Sequence, residues 1–235
     1  MYNKQLILIR HGESTWNKLN RFTGWTDVEL SNQGKKEAQL SGQILKKKKI
    51  NFDYCYTSLL KRAIHTLWII LNELDQVWLT VKKTWRLNER HYGNLQGLNK
   101  DEIATKYGDK IVNQWRRSFT SVPPKMKNTD NWSSCNDERY KNLKNNEIPS
   151  SESLELTLNR VLPFWKNNIL PKIQQNNRIL IVAHGNSLRA LMKYLSHLNN
   201  EEIIDLHIPT GVPIVYNLNN TLCTPMKYSF LKNDE

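Results

Sequence analysis

Apolar residues along the chain follow two rhythms. Short, nearly continuous runs at Leu6–Ile9 and Ile179–Ala183 have the pattern of strands buried on both faces. Phe52–Thr57, the alternating Leu79–Leu87 and Val212–Leu218 predict three more strands. Between them the period lengthens to that of helices. Ser31 is a good N-cap for a helix to about Lys49, with Ala38, Ile44 and Leu45 inward, and Ser58 to about Leu74 repeats the spacing. Asn99 caps a short helix, and another runs through Ile111–Phe119. Leu154, Leu158, Val161, Leu162, Trp165 and Ile169 line one face of a helix that Pro163 should kink, and Ser187–Leu195 predicts a final helix. Strands alternating with helices predict an α/β fold, a three-layer sandwich with a mostly parallel central sheet flanked by helices. Residues 120–150 hold Pro123-Pro124, much Asn and Ser, and no sustained period. In a chain otherwise read as one domain over residues 1–235, that stretch is expected to be a lid-like insertion.

Composition agrees with a folded chain. Of 235 residues 39% are hydrophobic, with 8 Trp and 9 Tyr, far from the composition of a disordered protein. The 3 cysteines lack CxxC spacing, which argues against a disulfide framework or a Cys-rich zinc site and fits a reducing, cytoplasmic setting. The apolar run before Arg10 is only four residues long, too short for a signal peptide, and no run approaches a membrane span. The formal charge of +12 is uneven: residues 1–117 carry 21 basic and 11 acidic side chains, the remainder 13 and 11. A basic half suggests an anionic partner. The abundance of Asn and Lys also indicates compositional drift, to which most of the excess is ascribed.

Two segments repeat one pattern. Leu6–Arg10 leads into His11-Gly12-Glu13-Ser14, and Ile179–Ala183 leads into His184-Gly185-Asn186-Ser187. If both strands are parallel, both histidines stand at the carboxyl ends of the sheet, where open α/β folds bind ligands. The backbone N–H groups of such turns suit an anion. An isolated histidine is ordinarily a hydrogen-bonded structural residue, but two in matched strand-end settings point to chemistry. Phosphate-loop, dinucleotide and zinc-protease motifs are absent, and no His or Cys pair has helical ligand spacing near a carboxylate, so no metal is expected. A nucleophilic or acid–base His11 is the better account.

Arg10-His11-Gly12-Glu13 is the signature of the histidine phosphatase superfamily, which the chain resembles. Within it the sequence is similar to the 2,3-bisphosphoglycerate-dependent phosphoglycerate mutases. The likeness extends through RHGESTWN (10–17), NRFTGWTDVELSNQG (20–34), YTSLLKRAIHTLW (56–68), LNERHYGNLQGLNK (87–100), QWRRSF (114–119), AHGNSLRALMKYL (183–195) and IPTGVPIVYNL (208–218). It implies that His11 takes the phosphoryl group, that Arg10, Arg62 and His184 surround it, and that Glu89 is the general acid and base. It implies substrate contacts from Ser14, Asn17, Thr23, Gly24, Gly185 and Asn186, and a grip on the carboxylate and second phosphate by Arg90, Tyr92, Lys100, Arg116 and Arg117. The activity implied is interconversion of 3- and 2-phosphoglycerate in glycolysis and gluconeogenesis, primed by 2,3-bisphosphoglycerate, without metal, in a homodimer. A histidine phosphatase or a bisphosphoglycerate synthase-type enzyme could use the same groups. A basic nucleic-acid-binding module ranks low, because the aromatic residues fall on apolar helix faces. Members of this group commonly continue into a Lys- and Ala-rich tail, and the ending at Glu235 predicts a raised phosphatase side reaction.

Overall fold

The computed structural model describes residues 5–127, 133–218 and 226–231. The chain end at residues 232–235, on which the expectation of a missing tail falls, lies outside them. In chain order the regular elements are β1 (Gln5–Arg10), α1 (Thr15–Lys18), α2 (Asn32–Lys47), β2 (Tyr54–Thr57), α3 (Lys61–Glu73), β3 (Val81–Lys83), α4 (Lys100–Tyr107) and α5 (Asp109–Arg117). They continue with α6 (Leu154–Phe164), α7 (Leu170–Gln174), β4 (Ile179–Ala183), α8 (Gly185–Ser196), α9 (Glu202–Asp205), β5 (Pro213–Asn217) and β6 (Tyr228–Phe230).

The strands form one sheet in the order β3-β2-β4-β1-β5-β6. β1, β2, β3 and β4 run parallel to one another, whereas β5 is antiparallel to β1 and β6 antiparallel to β5. The sheet is therefore mostly parallel. Alternate residues divide the core into two layers. Ile7, Ile9, Leu180 and Val182 face Leu45 of α2 and Leu67, Ile70 and Leu71 of α3. Leu6, Leu8, Ile179 and Ile181 face Val161 and Phe164 of α6 and Leu188, Leu191 and Leu195 of α8. Helices thus cover both faces, and β1 and β4, the two apolar runs of the sequence, lie side by side at the centre. No helix among the described residues is long and apolar enough to cross a membrane.

Several elements differ from expectation. The alternation over Leu79–Leu87 yields a strand only at Val81–Lys83, because the Thr84 hydroxyl accepts from Arg86 N and starts a 3-10 turn, Trp85–Leu87. α8 begins at Gly185 rather than Ser187, with His184 in the cap position. The helix that Pro163 should kink keeps α-form to Phe164 and then widens into one π-helical turn, Trp165–Ile169, before α7. β6 had no expectation attached; it extends the sheet through Ser229 opposite Val215.

The described residues of the stretch expected as a lid are irregular apart from three short 3-10 turns, Ser134–Asn136, Glu138–Tyr140 and Asn145–Glu147. Tyr140 is buried, its ring 4.8 Å from that of Trp25 and its hydroxyl accepting from Asn88 Nδ2 at 2.8 Å. The segment is packed behind residues 85–91, and no described residue of it lines the cleft that holds His11.

Candidate active site

The parallel pairing of β1 and β4 decides the position of both histidines. Arg10 stands opposite Ala183, and His11 N donates to Ala183 O at 3.0 Å. The side chains that follow, His11 and His184, meet edge to face with ring centroids 4.9 Å apart. Gly12 passes so close to Gly34, near the start of α2, that a Cβ on Gly12 would stand 2.1 Å from Gly34 O, so the turn after β1 admits only glycine.

His11 is buried, and its Nδ1 lies 2.6 Å from Gly12 O. A carbonyl only accepts, so Nδ1 carries the hydrogen and Nε2 keeps its lone pair. Arg62 Nε donates to that Nε2 at 3.3 Å. Burial, reinforced by Arg62 and Arg10, holds the imidazole well below its ordinary pKa and therefore neutral near pH 7. Burial acts first on His184 as well, then Arg62, and lowers it in the same direction. Its Nε2 lies 2.7 Å from Ser58 Oγ.

Arg62, in the first turn of α3, is buried and fixed by donation to Thr26 O and Gly24 O, each at 2.8 Å. Burial draws its pKa down to about 10, so it remains a cation. Arg10 Nη1 donates to Ile208 O at 2.8 Å, while its Nε is buried without a partner. A cationic donor left open beside a neutral histidine suits an incoming anion. Glu89 Oε1 accepts from Arg90 N at 2.7 Å and Asn186 N at 3.1 Å, which leaves Oε2 unengaged by these two amides.

These groups share one cleft of about 310 Å³. Arg10, His11, Asn17, Thr23, Arg62, Glu89, Tyr92, Lys100, Arg116, Arg117, Gly185 and Asn186 all line it. Lys100 opens α4 and is drawn below its usual pKa mainly by burial. Arg116 and Arg117 end α5. The Tyr92 hydroxyl accepts from Arg90 Nη2 at 3.0 Å and Asn186 Nδ2 at 3.2 Å. Burial, the largest single influence, would raise its pKa, but the charge of Arg90 and the hydrogen bonds from Arg90 and Asn186 together outweigh it and the net shift is downward.

Four expected site residues stand behind the cleft surface. Ser14 is buried and caps α1, accepting from Asn17 N. Gly24 contributes its carbonyl to Arg62. Arg90 lies over the Tyr92 ring and donates to Arg116 O at 2.7 Å. His184 is enclosed between His11 and Ser58. Conversely, Arg21, Phe22, Arg189, His207 and Ile208 line the cleft without having been expected there. Arg189 follows Asn186 by three residues on one face of α8 and donates to its Oδ1 at 3.0 Å, so helical spacing could have pointed to it. Among the described residues no three His, Cys, Asp or Glu side chains gather as a metal site would require.

A doubly wound sheet with a neutral histidine and two arginines at its carboxyl edge defines a class. Residues 6–222 match the Histidine phosphatase superfamily (branch 1), and the chain belongs to that superfamily. It is 57% identical over 229 residues to the 2,3-bisphosphoglycerate-dependent phosphoglycerate mutase of Blochmanniella pennsylvanica, covering 97% of this chain and 99% of that protein. It is 56% identical to the enzyme of the same name from Buchnera aphidicola, over 98% of this chain and 100% of the relative. Among solved structures, mycobacterial glucosyl-3-phosphoglycerate phosphatase with VO3 superposes with a TM-score of 0.72 at 21% identity, covering 96% of each chain. That likeness concerns the fold alone.

Proposed function

We propose that the protein is an isomerase that interconverts 3-phosphoglycerate and 2-phosphoglycerate through phosphohistidine at His11, primed by 2,3-bisphosphoglycerate. The observation that carries this reading is a neutral His11 at one end of the cleft and the cations Lys100, Arg116 and Arg117 also lining it, with Glu89 beside the reacting end. The names of the relatives point the same way. A substrate with two anionic ends needs both clusters, whereas a simple phosphomonoester needs only the first. The open Arg10 Nε and the second cluster fit a bisphosphate, which when bound supplies the phosphoryl group that charges the enzyme.

His11 Nε2 attacks phosphorus as the bond from phosphorus to the glycerate oxygen breaks. Protonated Glu89 gives its proton to the departing oxygen. In the return transfer the Glu89 carboxylate takes the proton of the attacking hydroxyl as the phosphorus–nitrogen bond breaks. Arg10, Arg62 and His184 surround the moving phosphoryl group, and Arg62 must yield its contact with Nε2 when the group arrives. Arg116, Arg117, Lys100 and Tyr92 hold the far end so that one hydroxyl and then the other meets His11.

The same reading treats residues 1–235 as one domain whose 120–150 insertion, none of whose described residues lines the cleft, helps keep water from phosphohistidine by backing residues 85–91. Removing that insertion should raise hydrolysis relative to isomerisation, and an unchanged ratio argues against the role. The reading extends, on resemblance alone, to a cytoplasmic homodimer; light scattering at twice the chain mass tests the assembly. The decisive assay follows 3-phosphoglycerate turnover with and without 2,3-bisphosphoglycerate in the presence of a chelator. Stimulation by the bisphosphate without metal is expected. A requirement for manganese, or full activity in His11→Ala, overturns the proposal.

A further inference from the structure

Arg160, on α6, lines no part of the cleft, yet its guanidinium is directed at the segment that carries Glu89 and at the carboxylate that ties down the same segment. Nε donates to Glu152 Oε1 at 2.6 Å and Nη2 to Glu152 Oε2 at 3.0 Å. Nη2 also donates to Asn88 O at 3.0 Å and Glu89 O at 2.9 Å, and Nη1 to Arg86 O at 2.7 Å and, more weakly, Trp85 O at 3.5 Å. Glu152 in turn accepts from His91 N at 2.8 Å through Oε2 and donates its own N–H to His91 O at 2.9 Å. Trp25, whose ring lies 5.6 Å from the guanidinium, donates Nε1–H to the same Glu89 carbonyl at 2.6 Å. Both members of the ion pair are buried.

A buried ion pair is weak evidence for stability, since desolvation cancels much of its attraction. This pair does something more specific. It fixes the backbone path of residues 85–91, and that path decides where the Arg90 N–H stands. Arg90 N is one of the two amides that aim the Glu89 carboxylate. Lysine, with three donors and no planar fork, cannot reproduce the pattern. We propose that Arg160, braced by Glu152, is a positioning residue that sets where Glu89 delivers and takes its proton.

The inference rests on the reading of Glu89 as general acid and base, which suggests a test with two phosphoryl donors. 2,3-Bisphosphoglycerate has a poor leaving group that must be protonated. p-Nitrophenyl phosphate releases a stable phenolate and needs no acid. Single-turnover phosphorylation of His11 is measured with each donor in the wild type, Arg160→Lys and Glu152→Gln, with thermal unfolding as a check on folding. For Arg160→Lys the rate with the bisphosphate should fall about 10–100-fold, the range expected when an acid–base group is misplaced. The rate with the aryl phosphate should stay within about threefold. Glu152→Gln should reproduce the selectivity more weakly, and it carries the test if Arg160→Lys fails to fold. Equal effects on the two donors, including none on either, overturn the proposal. A wild type that does not turn over phosphoglycerate overturns the functional reading instead.

Discussion

At one end of the cleft His11 and Arg10, backed by the enclosed His184, extend from β1 and β4, two central strands bonded to each other from Leu6–Ile179 to Arg10–Ala183. At the other end Lys100, Arg116 and Arg117 extend from α4 and α5, two short helices over the small cluster of Phe22, Leu95, Ile103 and Val112. The first end is tied into both main core layers. The second is held largely by guanidinium grips on the last carbonyls of α5: Arg90 on Arg116 O, and Arg189 on Arg117 O at 3.1 Å. The division matches the task. Phosphoryl transfer requires fixed donors around one phosphorus, whereas a glycerate that presents two different oxygens in turn needs a grip that can follow it.

The largest expected effect is on the fixed end. Arg62→Lys should lower kcat by about 10²–10³ with little change in KM, because lysine cannot donate together to His11 Nε2, Thr26 O and Gly24 O. Arg116→Gln supplies the contrast: KM for phosphoglycerate should rise about tenfold with kcat nearly retained, as when binding common to ground and transition states is removed. Steady-state kinetics of the two variants breaks the comparison if both lose mainly kcat.

Gly12→Ala should destabilise the fold by about 3 kcal/mol or more, since backbone meets backbone at the would-be Cβ and neither strand β1 nor helix α2 can withdraw cheaply. Gly108→Ala, between α4 and α5, meets no atom within 4 Å and costs only the strain of its backbone, φ 85° with ψ 143°, about 1–3 kcal/mol. Denaturant midpoints of the two variants rank the tolerance of the two ends. Equal midpoints contradict the distinction.

Acid should act on the same side. Burial and then Arg160 push His91 down to about 3, from an ordinary value of 6.5. Between those values the unfolded chain binds the proton and the folded one does not, so stability falls as pH drops through that window. His91 alone accounts for about 1.4 kcal/mol per pH unit, or about 2 kcal/mol from pH 6.5 to 5. His11 and His184 act in the same direction. Thermal unfolding at pH 7 and pH 5 measures the loss, and an unchanged midpoint contradicts it.

Much of the fixed end was legible in the sequence. Two apolar runs, each ending in His-Gly, place both histidines at one edge of the sheet once the strands are read as parallel, because strand polarity fixes which end they occupy. The adjustable end was legible only through family likeness, since Lys100 and Arg116-Arg117 look like ordinary charged helix positions until α4 and α5 fold over the cleft. The supporting residues left almost no trace. Arg160 is eight residues from Glu152 and some seventy from the loop it holds, and no local period reveals a side chain whose partners are backbone carbonyls. β6 was missed because three residues of edge strand carry too little pattern.

Lysine outnumbers arginine in this chain by 23 to 11. Among the described residues, however, the buried cations Arg62, Arg90, Arg160 and Arg189 are all arginine. Each stretches a flat, multiply donating head among carbonyls, carboxylates or rings that a compact, strongly hydrated ammonium would not satisfy. In a chain this rich in lysine, an arginine therefore carries information that a lysine does not. Noting which basic positions are arginine is a way of reading the interior of such a protein from its sequence.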